Sequence, residues 1–289
     1  MGISFLTDPA DTGWPAKHGY IDLSGKLVIK PQFHSSYPFS EGFALVWTDR
    51  GQGFIDHHGL MIIPPNKSFE GTRSFSEGLA TVGGHGKFGF IDKTGRLVIK
   101  QRFDEAGSFS EGLARVYVGD LSGYVDKTGA LVIEPRFQTS DNSNFSEGLA
   151  AVGVGEKMGF IDRTGRLVIP AIFDAAYPFS EGLAHVTMNQ KDGFVDKSGR
   201  LVIAPRYELE GDFSEGLAPV RIAGKYGYIN QSGAFVIAPR FSYASSFDGG
   251  LASVSEGEDK GGYIDSSGNY VWRSEPSRPC PCLGQTSKP

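Results

Sequence analysis

Residues 75–104 read FSEGLATVGGHGKFGFIDKTGRLVIKQRFD, and this stretch is written over and over along the chain. Its first six residues recur unchanged from Phe75, Phe109, Phe145, Phe179 and Phe213, with a variant at Phe39–Ala44 and a decayed copy at Phe247–Ala252. The glutamate steps from Glu41 to Glu77, Glu111, Glu147, Glu181 and Glu215 at intervals of 36, 34, 36, 34 and 34 residues. A fixed period of this length marks stacked supersecondary units, none of which buries its apolar face alone.

Within one copy, Leu79–Val82 is a brief apolar run, Gly89–Asp92 a second and Arg96–Ile99 a third, separated by Gly-rich turns. The second and third runs form a hairpin across Asp92-Lys-Thr-Gly95. Asp at the first turn position accepts backbone N–H groups ahead of it, and Gly three residues later takes a left-handed conformation. That is a type I turn closed by a glycine bulge. The same Asp-x-x-Gly starts at Asp22, Asp56, Asp126, Asp162, Asp196 and Asp265, while Asn230 replaces the acid once. An uncharged residue in the same place argues for turn building rather than metal binding.

A Pro-x-aromatic element follows at Pro31–Phe33, Pro135–Phe137, Pro205–Tyr207 and Pro239–Phe241. Proline there is expected to end the third strand, with the aromatic joining the Phe of Phe-Ser-Glu-Gly in the seam between copies. Phe103–Phe109 offers an irregular fourth strand. Helical spacing is absent, so the fold is all-β, in tandem repeats of about 35 residues, each a hairpin with a third strand. Eight hairpins start at Gly19, Gly53, Gly89, Gly123, Gly159, Gly193, Gly227 and Gly262, against seven Phe-Ser-Glu-Gly segments. Ile3–Leu6 would supply the missing leading strand of the first. The expected arrangement is propeller-like, seven or eight units closing a ring. The alternative is an open β-solenoid of stacked hairpins with polar caps.

The consensus FSEGLA-x-V…GK-x-G-(Y/F)-ID-(K/R)-TG-(R/K)-LVI-x-P-x-F resembles the WG-repeat (KWG-repeat) family of largely bacterial proteins, over Gly19 to Trp272. The Trp that names the family is absent; its positions hold His18, Gln52, Phe88, Ser122, Met158, Asp192, Tyr226 and Gly261. The preceding Lys survives at Lys17, Lys87, Lys157, Lys191 and Lys225. The resemblance implies a binding or interaction module and carries over no catalytic residue.

Composition narrows the function by exclusion. A net charge of −5 with interspersed signs provides no basic stripe for nucleic acid. No run approaches the roughly 20 apolar residues of a membrane helix, and residues 1–11 lack the features of a signal peptide. The body is free of cysteine; Cys280 and Cys282 lie in a Pro-rich tail, residues 273–289, expected to be disordered beyond the repeat array of residues 1–272. A cytoplasmic monomer without cofactor or metal is expected.

The repeated glutamates Glu41, Glu77, Glu111, Glu147, Glu181 and Glu215 are the candidate binding residues, since repetition sets them in one ring or row able to meet cations or a basic peptide. The competing reading is structural: each accepts backbone N–H bonds or pairs with Lys or Arg of the adjoining unit. One Asp per hairpin turn is too few oxygens for calcium. Arg102, Arg136, Arg206 and Arg240 recur after the third strand and are expected to offset the carboxylates across unit boundaries. His18, His34, His57, His58, His85 and His185 occupy unrelated repeat positions, and no nucleophile–base set is recognisable. A non-enzymatic module recognising protein or peptide is therefore expected. Carbohydrate or cell-envelope binding through Trp47, Tyr117 and Tyr243 is the alternative, and a hydrolase in a central channel a third reading.

Overall fold

A computed structural model describes residues 3–6, 17–22, 24–138, 143–209, 211–257 and 260–274. The chain divides into two compact units, Met1–Ile172 and Phe173–Pro289, at a junction between repeats. All regular structure is antiparallel β, and among the described residues eight repeats follow one another, five in the first unit and three in the second. Of the expected tail, residues 273–289, Arg273 instead pairs with Gly262 in the strand Tyr270–Arg273, and the part from residue 275 onward, with Cys280 and Cys282, lies outside the described residues.

The fourth repeat shows the pattern in full. Strands Glu105–Ser110, Leu113–Val118, Leu121–Asp126 and Leu131–Phe137 pair in that order across one sheet. Four strands fit into so short a repeat because their connections are minimal. Glu111-Gly112 forms a tight turn with both residues at positive φ (53° and 79°), the geometry whose twist matches a hairpin. The irregular segment read in the sequence is thus a strand that opens the sheets of the second, fourth, sixth and eighth repeats. In the third and fifth repeats it shrinks to single bridges, Glu70 with Gly83 and Gln138 with Gly153. In the first repeat, Ile3–Leu6 pairs with His18–Ile21, as the hairpin count required.

The Asp-x-x-Gly turns form as the residues dictate. Oδ1 of Asp92 accepts the N–H groups of Thr94 and Arg96 and the Thr94 hydroxyl, while the Gly95 N–H bonds the Asp92 carbonyl. Asn230 makes the same bonds through its amide oxygen.

The proline expectation needs correction. Pro31 does not end its strand; it sits inside Leu27–Phe33. The pairing slips there, Tyr20 facing Ile29 and His18 facing Phe33, so the strand bulges and the proline falls where no ladder N–H is needed. The bulge folds back onto the hairpin glycine. A Cβ on Gly19 would stand 2.6 Å from the Ile29 carbonyl oxygen, which explains why the hairpin begins with glycine.

The core runs along the seams. Phe90 meets Phe109 of the next repeat at 4.9 Å, and Tyr124, Phe194 and Tyr228 meet Phe145, Phe213 and Phe247 in the same way. Where the hairpin aromatic is Tyr124 or Tyr228, its hydroxyl donates to the carbonyl of Ser143 or Ser245, two residues before that partner Phe. The Leu-Val-Ile run contributes less than expected. Its Ile is buried in repeat after repeat, but at least one of the two residues ahead of it stands in solvent, because no further strand pairs with this opening part; only Glu208 and Leu209, at the far end of the Leu201–Leu209 strand, pair onward.

Candidate functional site

Within each unit the repeated glutamates share one geometry, that of a clasp between successive repeats. Each of the six glutamates has φ of 53° or 54°, a conformation that costs a non-glycine residue about 1–2 kcal/mol. Glu41, Glu77 and Glu111 accept the N–H groups of Gly78, Gly112 and Gly148, each at 2.9 Å; in the second unit Glu181 and Glu215 hold Gly216 and Gly250. The acceptor and its donor thus occupy successive copies of one motif. The serine beside each glutamate makes a second stitch: Ser40, Ser76 and Ser110 donate to the carbonyls of Phe75, Phe109 and Phe145. Lys93 and Lys127 then reach Glu41 and Glu77 at 3.2 and 3.1 Å. Partial burial draws the Glu41 carboxyl up, but the Lys93 ammonium and the Gly78 N–H outweigh it and hold the group below the usual carboxylate range. These oxygens are committed to the neighbouring repeat.

The arginines do something other than offset carboxylates. Arg102, Arg136, Arg206 and Arg240 each donate to the carbonyl of the Asp-x-x-Gly glycine one repeat on: Gly129, Gly165, Gly233 and Gly268. Their guanidinium groups lie over Phe103, Phe137, Tyr207 and Phe241 at 4.7–5.0 Å. A turn glycine has no acceptor other than its own carbonyl to offer, and the planar fork reaches it from the stacked position. The same glycines press against the buried Ile of the preceding repeat; a Cβ on Gly129 would stand 3.0 Å from Ile99 Cγ2.

With glutamate, serine and arginine used in the seams, one recurring group of solvent-facing apolar residues lies at the opening of the last strand of each repeat. Leu27 and Val28, Leu97 and Val98, and Phe235 and Val236 are each 38–47% exposed. Ile62, Val132, Leu167, Leu201 and Val271 continue the series, so every repeat presents at least one such residue. Beside the Leu97–Phe103 strand a cleft of about 570 Å³ lies between Val98, Lys100 and Arg102 of one repeat and Thr128, Gly129 and Leu131 of the next.

The positions that lack tryptophan vary together with the residue across the strand pair. Phe88 and Met158 stand opposite Gly83 and Gly153, whereas Gln52 and Ser122 stand opposite Trp47 and Tyr117. A Cβ on Gly83 would be 2.9 Å from the Phe88 ring, so in these four repeats bulk sits on one strand or the other, whereas in the seventh Arg221 stands opposite Tyr226 with its guanidinium 5.8 Å from the ring. Trp47 is 51% exposed and Tyr243 50%, while Tyr117 is half-buried with the Arg115 guanidinium 5.1 Å from its ring. Trp47 is shared by two adjoining clefts. One, of about 560 Å³, is lined by His34, Ser35, Tyr37, Thr48 and Asp49. The other, of about 350 Å³, reaches Gln52, Lys67 and Glu70.

Among the histidines, His185 stands apart. It is buried, stacked on Tyr177 at 4.5 Å and 3.2 Å from Asp192, whose carboxylate also accepts the Thr187 hydroxyl. Burial raises the Asp212 carboxyl above the ordinary Asp range, opposed by His185. Spacing within the chain gave no sign of this group, because its members come from four segments. Superimposing the repeats would have shown it: the His185 position is an inward one, held elsewhere by Leu45, Thr81 and Arg115. Among the described residues no group of His, Cys, Asp and Glu is placed to hold a metal ion, and no helix is long and apolar enough to cross a membrane.

Antiparallel repeats of three or four strands joined by such seams are units of the β-propeller type. The chain belongs to the WG containing repeat family, which it matches over residues 19–46, 53–83, 88–121, 123–157, 158–191, 193–226 and 226–258. Among solved structures it is similar to BamB from Moraxella catarrhalis, with 12% identity over 83% of this chain and 87% of that one at a TM-score of 0.50. A eukaryotic initiation factor is similar at 14% identity, over 82% of this chain and 74% of that one, with a TM-score of 0.54. At such identities the likeness concerns the fold. No curated protein matches the chain significantly.

Proposed function

We propose that this chain is a non-enzymatic module that recognises a protein partner through the fourth-strand edges of its repeats. The observation that supports the reading is the recurrence of solvent-facing apolar residues at equivalent positions of every repeat, illustrated by Leu97 and Val98. Packing does not need them there, since Ile99 and Phe103 already fill the seam. Exposed apolar rows rimmed by polar groups mark interaction surfaces. Lys26 and Lys30 flank the pair of the first repeat and Arg96 and Lys100 that of the third, so the partner is apolar with acidic groups facing these two repeats. Proline within most fourth strands, as at Pro31, Pro135, Pro205 and Pro239, hinders addition of a further strand, which leaves side chains to do the recognising.

The test is a photo-crosslinking amino acid placed at Val98 or at Val132 of the full chain in its native host. One partner, captured from both positions and lost when Lys100→Glu is added, supports the reading. Absence of any adduct, or adducts indifferent to K100E, overturns it.

A further inference from the structure

Trp47 invites a question that the repeat pattern does not answer. Its position is filled elsewhere by Gly83, Tyr117, Gly153, Thr187, Arg221 and Ser255, so the repeat can be built without an indole. Covering Gln52 accounts for bulk at this place, yet half of the ring system remains in water. Tyr37, on the neighbouring strand segment, is 45% exposed and lines the same cleft. Seam residues recur, Glu77 in six copies and Arg102 in four, whereas an indole at the Trp47 position lining one cleft with the ring at the Tyr37 position occurs in a single repeat; the exposed Tyr243, Tyr263 and Trp272 of the eighth repeat stand at other positions.

We propose that the two clefts sharing Trp47 form a binding site for an uncharged oligosaccharide, with the indole as the platform between successive sugar rings. The lining decides the ligand class. The larger cleft holds two aromatic rings, two hydroxyl residues, a histidine and a carboxylate, and no aliphatic side chain. A peptide side chain or lipid would gain little from such walls. A pyranose suits them, because its C–H face lies on an aromatic ring while its hydroxyls bond to the polar groups at the rim. Asp49 is prepared as an acceptor. The His34 ring bonds its carboxylate and keeps it below the usual Asp range, and the Lys17 ammonium reaches the other ring nitrogen of His34 at 3.1 Å. That chain of bonds fixes Asp49 beside Trp47. In the second cleft Gln52, Lys67 and Glu70 supply further donors and acceptors, and Thr48 and Asp49 belong to both, so the ligand spans at least two rings. Volumes of about 560 and 350 Å³ fall within the ordinary range for small-molecule sites.

This site is separate from the fourth-strand edges and does not depend on them. The test is calorimetric titration of the full chain with β-linked and α-linked glucotetraose, chitotetraose, xylotetraose and mannotetraose. Binding of at least one is expected, weakened about tenfold or more by Trp47→Ala and by Asp49→Asn. Trp272→Ala, which removes an equally exposed indole from the other compact unit, is expected to leave it unchanged. Should W47A fail to fold, the milder Trp47→Tyr replaces it, with partial weakening expected. Failure of all five sugars to bind at millimolar concentration overturns the proposal, and so does equal weakening by W47A and W272A.

Discussion

Glu77 Oε2 accepts the Gly112 N–H at 2.9 Å, and it does so from a residue whose own backbone is left-handed. The bond and the strain belong together: only in that conformation does the turn of one repeat aim a carboxylate at the turn of the next. Glu77→Ala keeps the strain and loses the bond, so it should destabilise the chain by about 1.5–3 kcal/mol, the range for a hydrogen bond to a charged group. Glu77→Gly removes the strain as well and should cost about 1 kcal/mol less than E77A. Urea unfolding of both variants measures the difference; equal losses would mean that the turn is unstrained.

The closeness of the seam is measurable at its glycines. Gly119 and Gly129 both have positive φ, but a Cβ on Gly119 meets open space while one on Gly129 meets Ile99. Gly119→Ala should cost about 1 kcal/mol from backbone strain alone, and Gly129→Ala distinctly more. Combined with Ile99→Ala, G129A should cost less than the sum, with a coupling of about 0.5–3 kcal/mol. Strict additivity in the unfolding energies would contradict the contact.

Acid should loosen the turns. The Thr94 hydroxyl, then the N–H groups of Thr94 and Arg96, hold Asp92 at about 2, and the Ser198 hydroxyl with Arg200 does the same for Asp196. A depressed carboxyl stabilises the fold above its unfolded value of about 3.9, and that contribution is lost as pH falls from about 4 to about 2. Asn230 performs the same turn without a charge, so Asp92→Asn should fold normally at pH 7 and show a smaller drop in melting temperature between pH 4 and pH 2. An unchanged acid drop in D92N would refute the assignment.

Asp212 runs the other way. A carboxyl raised by burial favours the fold when protonated and burdens it once ionised, so the burden appears as pH rises past the unfolded value of about 3.9. Asp212→Asn should therefore raise the melting temperature at pH 7 and converge with the parent chain at pH 3. A loss of stability at pH 7 would show that His185 outweighs the burial.

Much of this architecture is legible in the residues, because each repeat solves the same local problem with the same side chains. Asp-x-x-Gly announces its turn, and Ile3–Leu6 is recovered as a strand by counting hairpins. What escapes is what depends on the neighbouring repeat. Nothing within Pro-x-aromatic says that Pro31 enters a bulge, since the slip in register is set by Gly19 on the partner strand. Arg102 reads as a partner for a carboxylate, but the acceptor it meets is a backbone carbonyl invisible to sequence. The exposure of Leu97 and Val98 is hidden for the same reason: an apolar run looks buried until its strand is found at an edge.

Successive repeats hold one another through residue-to-residue clasps at fixed offsets, and native-state hydrogen exchange on E77A probes one such clasp from both sides. Lost protection is expected at Gly112 and in both Leu79–Gly84 and Leu113–Val118, on the two sides of one seam. Faster exchange confined to the turn around Glu77, with Gly112 unaffected, would contradict it.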